Sequence, residues 1–250
     1  MALPKMIRIR QHFEAPEVDD IASTVKEQIA GLQLQDKVKA GDSVAITVGS
    51  RGINEIALIT KSIVEAVKEL GGVPFIVPAM GSHGGGTAEG QQHIVESYGV
   101  TEEYVGCEIR STMEVVQVGT VEGEVPVYFD KYAAAADHVV VAGRIKPHTG
   151  FVGEIESGLH KMMLIGLGKH KGAALYHQAI VQYSFDRIIR AVAGEVIDKC
   201  GILFGLAIVE NQYDHTAMIE AVAPDKFAER ERELLILAKK WMPRLPFDRV

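Results

Sequence analysis

The residues able to do chemistry fall in four glycine-punctuated or cationic stretches. Gly49-Ser-Arg-Gly52 follows an apolar run, and free amides, a helix N-terminus and the Arg51 guanidinium would together suit a phosphate or carboxylate. The same residues also read as a plain glycine turn with an exposed arginine. In Gly81-Ser-His-Gly-Gly-Gly-Thr87, three consecutive glycines cost entropy on folding and mark a loop whose backbone approaches a ligand closely. His83 in that loop is either a proton-transfer group or a solvated histidine. The spacing matches neither G-x-x-x-x-G-K-S/T nor G-x-G-x-x-G with a downstream acid, so nucleotide binding through those motifs is not indicated.

The third stretch is Gly143-Arg-Ile-Lys-Pro-His-Thr-Gly-Phe151. Arg144, Lys146 and His148 form a local cationic cluster, Pro147 fixes the turn before the histidine, and an anionic ligand is the natural partner. The chain continues through Ser157-Gly-Leu-His-Lys161, the apolar residues 162–167, and Gly168-Lys-His-Lys-Gly172. Five of the nine histidines lie between His138 and His177. They read either as a surface cluster or as imidazoles for metal ligation and proton transfer. The fourth stretch, Glu210-Asn-Gln-Tyr-Asp-His215, offers polar contacts without a specific chemistry.

The elements that must position these groups alternate strand and helix. Apolar spacing predicts a helix over 18–34, a strand over 43–48, a helix over 54–70 closed by Gly71-Gly72, and a strand over 73–77. Thr87 is a plausible N-cap for a third helix, residues 139–142 and 202–209 are buried strands, and residues 226–241 form a terminal helix. Residues 115–129 alternate around Glu122-Gly123, as a β-hairpin does. The expected fold is α/β, a mostly parallel, Rossmann-like sheet with helices on both faces and an inserted hairpin. Ligands gather at the carboxyl ends of such strands, where the four stretches fall.

A chain of 250 residues with 47% apolar and 24% charged residues reads as one globular α/β domain over 1–250. No run approaches the roughly 18 apolar residues of a membrane span, and residues 1–10 lack a secretory h-region, so a cytoplasmic location is expected. Thirty-three acidic against 26 basic residues argue against a nucleic-acid surface. Cys107 and Cys200 are far apart and read as small core residues rather than a disulfide or zinc pair. Residues 243–250 look like the entry to a further element.

In their order along the chain, the Ser-Arg-Gly turn, the Gly-Ser-His loop, Pro-His-Thr-Gly-Phe and Ser-Gly-Leu-His-Lys resemble the N-terminal domain of the lactate racemase family. The resemblance implies a racemase or epimerase of a 2-hydroxy acid, an isomerase working by reversible hydride transfer to a nickel-pincer nucleotide (pyridinium-3,5-bisthiocarboxylic acid mononucleotide nickel). It implies that Lys161 tethers the cofactor through a thioamide, that Ser50, Arg51 and Gly52 hold its phosphate, and that His177 ligates the nickel. His83 and His148 match the two catalytic histidines, one base per enantiomer. Charge alone adds Arg144 and Lys146 as receptors for the substrate carboxylate.

The stretch between His148 and Lys161 is longer than in authentic lactate racemases, so Glu154-Ile-Glu156 reads as an insertion in a divergent homologue. The family's C-terminal domain has no counterpart in this sequence, which makes that domain an expected partner, beside the cofactor biosynthesis proteins. Two other readings stand: a hydrolase or lyase with a His-rich divalent metal site, and a noncatalytic module binding an anionic metabolite through Arg51, Arg144 and Lys146.

Overall fold

A strand that is apolar on both sides must be covered on both faces, and the long apolar runs become such strands. The computed structural model describes Met6, residues 8–150 and residues 152–244. Phe151 and the tail residues 245–250, where the entry to a further element was expected, lie outside the described residues. So do residues 1–5 and 7 of the N-terminal stretch. In chain order the first half runs α1 (Ile21–Gly31), β1 (Ser43–Val48), α2 (Ile56–Glu69), β2 (Val73–Pro78), α3 (Ala88–Ser97), the short α4 (Glu102–Val105), β3 (Val115–Val121) and β4 (Val125–Asp130). The second half follows as the short α5 (Lys131–Ala134), β5 (His138–Arg144), the single-turn α6 (Leu159–Lys161), α7 (Lys169–Tyr183), α8 (Phe185–Lys199), β6 (Ile202–Glu210), β7 (Thr216–Val222) and α9 (Phe227–Lys240).

Five strands form one sheet in the order β2-β1-β5-β6-β7, parallel except for the last pair. Alternation within each strand divides the interior into two cores. Val44, Ile46, Val48, Val140, Ala142, Leu206 and Ile208 face α1 and α2, whereas Ala45, Val139, Val141, Ala207 and Val209 face α7, α8 and α9. The expected α/β architecture is the observed one. Residues 115–130 pair as a separate two-stranded antiparallel sheet beside the main one. The edge strand β7 carries no strong alternating pattern and was not expected from the sequence.

Local signals account for the ends that matter. Gly71 takes a positive φ of 90° and its amide bonds the Lys68 carbonyl at 2.9 Å, closing α2. The Thr87 hydroxyl accepts from the Gly90 amide at 3.1 Å and caps α3. A Cβ on Gly90 would collide with the Gly84 carbonyl, which lets the triple-glycine loop, with φ near +66° to +69° at all three residues, lie directly on the start of α3. After α6 the chain runs into a π-helical turn, Met162–Gly166, a form that recurs at functional sites. Among the described residues no helix is long and apolar enough to cross a membrane.

Candidate functional site

Strand order reverses between β1 and β5: the chain leaves β1 toward β2 on one side, and β5 pairs on the other. Loops diverge at such a switch point and leave a crevice. A cavity of about 300 Å³ lies there. Ser50 and Arg51 enter it after β1, Met80 and His83 after β2, Arg144, Lys146 and His148 from the end of β5 and its exit loop, and Lys161 from α6. Ile53, Ile56, Pro147, Met162 and Ile165 supply apolar wall. Four cations and no carboxylate line it. In a protein of net charge −7 this is a local inversion that selects anions.

The charges act on one another. Burial, then Lys146 and Arg51, push the Lys161 amine down from 10.5 to about 8, so a substantial neutral, nucleophilic fraction exists near neutral pH. Its Nζ lies 3.4 Å from the Ser157 hydroxyl. Burial, Arg51 and Lys161 hold His83 below its ordinary 6.5. Burial, Lys161 and Lys146 do the same to His148, against the opposing pull of Glu156. Both imidazoles are therefore neutral at pH 7. The Gly150 amide donates to His148 Nδ1 at 3.0 Å. An amide can only donate, so the neutral ring carries its proton on Nε2.

Carboxylates stand behind the cavity rather than in it. Glu210, at the end of β6, ion-pairs with Arg144 and accepts the Asn54 amide at 2.8 Å, tying the β5 end to the turn after β1. Glu156 is 2% exposed and accepts from the His148 amide at 2.8 Å, the Gly153 amide at 3.3 Å and Lys239 of α9 at 2.7 Å. Under α6, His160 is buried against Glu231 of α9, which also accepts the His160 amide at 3.2 Å.

The model of the lactate racemase N-terminal domain matches residues 5–186. The chain belongs to that family. Among solved structures it is similar to the lactate racemase apoprotein from Thermoanaerobacterium thermosaccharolyticum, with a TM-score of 0.63 and 16% identity over 88% of this chain and 56% of that one. At that identity the likeness concerns the fold, and this chain spans little more than half the length of the solved relative. No curated protein matches the chain.

Placed on the lactate racemase fold, the residues singled out from sequence separate into three groups. Ser50, Arg51, His83, Lys146, His148 and Lys161 share the cavity. Gly52 lies next to it in the turn, and the amides of Ser50, Arg51 and Gly52 have no protein acceptor among the described residues. The helix expected to open at that turn starts later, at Ile56, after Glu55 in a left-handed conformation, so the turn's own amides, not a helix terminus, face an anion there. Arg144 also reaches the cavity, but Glu210 already balances its charge, so it braces the turn rather than offering a free cation.

His177 is not brought to the site. Gly172, Ala173, Tyr176 and Ala179 form the buried face of α7, and one residue's rotation of about 100° turns His177 outward to an exposed position. The histidine band also disperses. His138 pairs with Asp42 at the opposite, amino end of the sheet at 3.1 Å, and His160 is inside, against Glu231. No group of three or more His, Cys, Asp or Glu side chains able to hold a metal occurs among the described residues. Burial raises Cys107 to about 11 and Cys200 to about 12, so neither is an activated thiol.

Sequence reasoning missed the roles of Glu156 and Glu210, the second of which it gave only unspecific polar contacts. Glu154-Ile-Glu156 read as an insertion, yet Glu156 is the anchor of the His148 loop. The available signal was a carboxylate immediately before the Ser157-Gly158 turn, between the cationic residues 144–148 and Lys161.

Proposed function

We propose that this chain is the cofactor- and substrate-binding part of a 2-hydroxy acid racemase or epimerase of the lactate racemase type. The observation that carries the reading is a carboxylate-free cavity that joins one low-pKa lysine to two neutral histidines at the sheet's switch point. Family membership supports the same reading.

The nickel-pincer nucleotide fits this cavity at its anionic and reactive ends. The amides of Ser50 to Gly52 and the Arg51 guanidinium would hold its phosphate, and the Lys161 amine would take its thioamide tether. Apolar side chains including Met162 and Ile165 would flank its ring. The metal's histidine ligand is not supplied by His177, which points away. When bound, the group supplies the hydride acceptor that no side chain offers.

The chain's own residues supply the rest. Lys146 attracts the substrate carboxylate. A neutral histidine removes the C2 hydroxyl proton as that carbon becomes trigonal, and returns it when the hydroxyl re-forms. Two histidines reach the cavity from loops after different strands, and they take unequal roles there. His148, protonated on Nε2, enters as a hydrogen-bond donor to the substrate oxygen, which leaves His83 as the ready acceptor. The cavity thus favours this reading over a His-rich divalent-metal hydrolase, which needs a ligand cluster. Cofactor biosynthesis proteins and a C-terminal closing domain are the partners this function requires, in the cytoplasm.

Intact-mass analysis, peptide mapping and nickel content of protein made in a host that supplies the cofactor test the reading. An adduct on Lys161 is expected, lost in Lys161→Ala. His83→Ala and His148→Ala should retain the adduct but fail to interconvert 2-hydroxy acid enantiomers once the closing domain is supplied. Interconversion by Lys161→Ala would overturn the assignment.

A further inference from the structure

Lys169, Asp130 and Gln91 are each fully buried, at 0% exposure, and lie outside the cavity. They come from the start of α7, the end of β4 and the first turns of α3. The Lys169 ammonium has three donors and three acceptors around it: the Pro78 carbonyl, Gln91 Oε1 at 3.2 Å and Asp130 Oδ2 at 3.1 Å. Gln91 in turn uses both hydrogens of its Nε2, to the Gly81 carbonyl at 2.8 Å and the His83 carbonyl at 3.3 Å. Asp130 Oδ1 accepts the Tyr132 and Ala133 amides at 2.8 and 2.9 Å. Three of its bonds end on the backbone of one loop, at the carbonyls of Pro78, Gly81 and His83, while Asp130 Oδ1 anchors the network to the start of α5.

A buried ion pair is a poor way to stabilise a core, since apolar residues of similar volume do as well or better. Its particular capacity is directional: a saturated polar network admits one arrangement of the groups it binds. Lys169 itself sits at φ +55°, a left-handed backbone rarely adopted by a long side chain and kept only where surroundings impose it.

We infer that Lys169, Gln91 and Asp130 are positioning residues that fix the His83 loop, and with it the His83 imidazole, at the cavity. The inference rests on the reading of His83 as a cavity base, yet it concerns the unloaded protein. The charges facing His83 are Arg51 after β1 and Lys161 on α6. With the loop fixed, the His83 ring, exposed on its solvent side, stays partly covered at the cavity and within reach of both. With the loop released, the ring loses that cover and gains distance from them.

The test is the titration of His83 in the cofactor-free protein, followed by NMR of the ring carbon-bound protons, with His148 in the same spectra as internal control. Gln91→Leu removes both loop bonds, and Gln91→Glu keeps the acceptor for Lys169 while losing the two donors. Both should move the His83 midpoint up toward 6.5 and leave His148 in place. Lys169→Met alone strands the buried Asp130 charge without a partner, so the double variant Lys169→Met/Asp130→Leu removes both charges together. It should keep native circular dichroism and still release His83. An unchanged His83 midpoint in folded Gln91→Leu and in the double variant would overturn the inference. Equal shifts of His83 and His148 would also overturn it, as the mark of general loosening. Adduct formation at Lys161 is independent of either outcome, so failure here and failure of the racemase reading are separable.

Discussion

The two histidine loops solve one problem in opposite ways. The His83 loop is short, leaves β2 directly, and is gripped from beneath by a fully buried network drawn from three elements. No hydrogen bond reaches its ring among the described residues. The His148 loop is longer and is held by one carboxylate, Glu156, whose cationic partner Lys239 is 41% exposed on α9. Its ring is bonded by its own loop, at Gly150. One histidine thus has a fixed backbone and a ring left to the ligand, the other a preset ring on an adjustable backbone. The difference teaches that matching residue types at a site need not be equivalent: the support beneath each decides which proton position it offers.

Removing one side of each support should break this comparison most sharply. Asp130→Ala leaves the Lys169 charge buried and unpaired, and should cost about 3–5 kcal/mol of stability by urea denaturation. A loss under about 1 kcal/mol would mean that water or a neutral lysine replaces the pair. Glu156→Ala strands the His148 and Gly153 amides nearer the surface, with an expected loss of about 1–3 kcal/mol and faster amide exchange confined to residues 146–158. Exchange that accelerates equally in the His83 loop would erase the distinction. Lys239→Ala should cost no more than about 1 kcal/mol, because a half-exposed ion pair is screened.

Acid sharpens the same contrast. Burial pushes the Glu156 carboxyl up, but the Lys239 ammonium and the two amides outweigh it and leave it below the ordinary 4.5. A carboxyl lowered by folding contributes stability above pH 4.5, lost as pH falls through the lowered value. The His148 loop should therefore open in that acid window, read by amide exchange or limited proteolysis, while the fold persists. The smallest effect is spectroscopic. Nitrogen shifts at pH 7 should report the Nε2–H tautomer for His148, and a dominant Nδ1–H form would show that Gly150 does not set the ring.

Local spacing in the sequence was enough for the strands at 43–48, 73–77, 139–142 and 202–209, since a run apolar on both faces has few alternatives to a covered parallel strand. It was also enough for the Thr87 cap and the Gly71 closure, which depend on neighbours within a few residues, and for a cavity built from loops at the carboxyl ends. The ordered motifs placed Ser50, Arg51, His83, His148 and Lys161 together through a resemblance, charge alone added Lys146, and folding brings all six to one crevice. Tertiary structure alone decided the rest. Whether a cation is free depends on a partner far along the chain, as Glu210 is for Arg144. Whether a histidine faces a cavity depends on a helix's rotation, which turned His177 away at a spacing that looked right. The meeting of Lys169, Asp130 and Gln91 beneath His83 joins three elements through contacts between residues up to 78 positions apart. Spacing within a segment constrains which side of an element a residue occupies, whereas pairing between segments is set by the packing of the sheet and its helices.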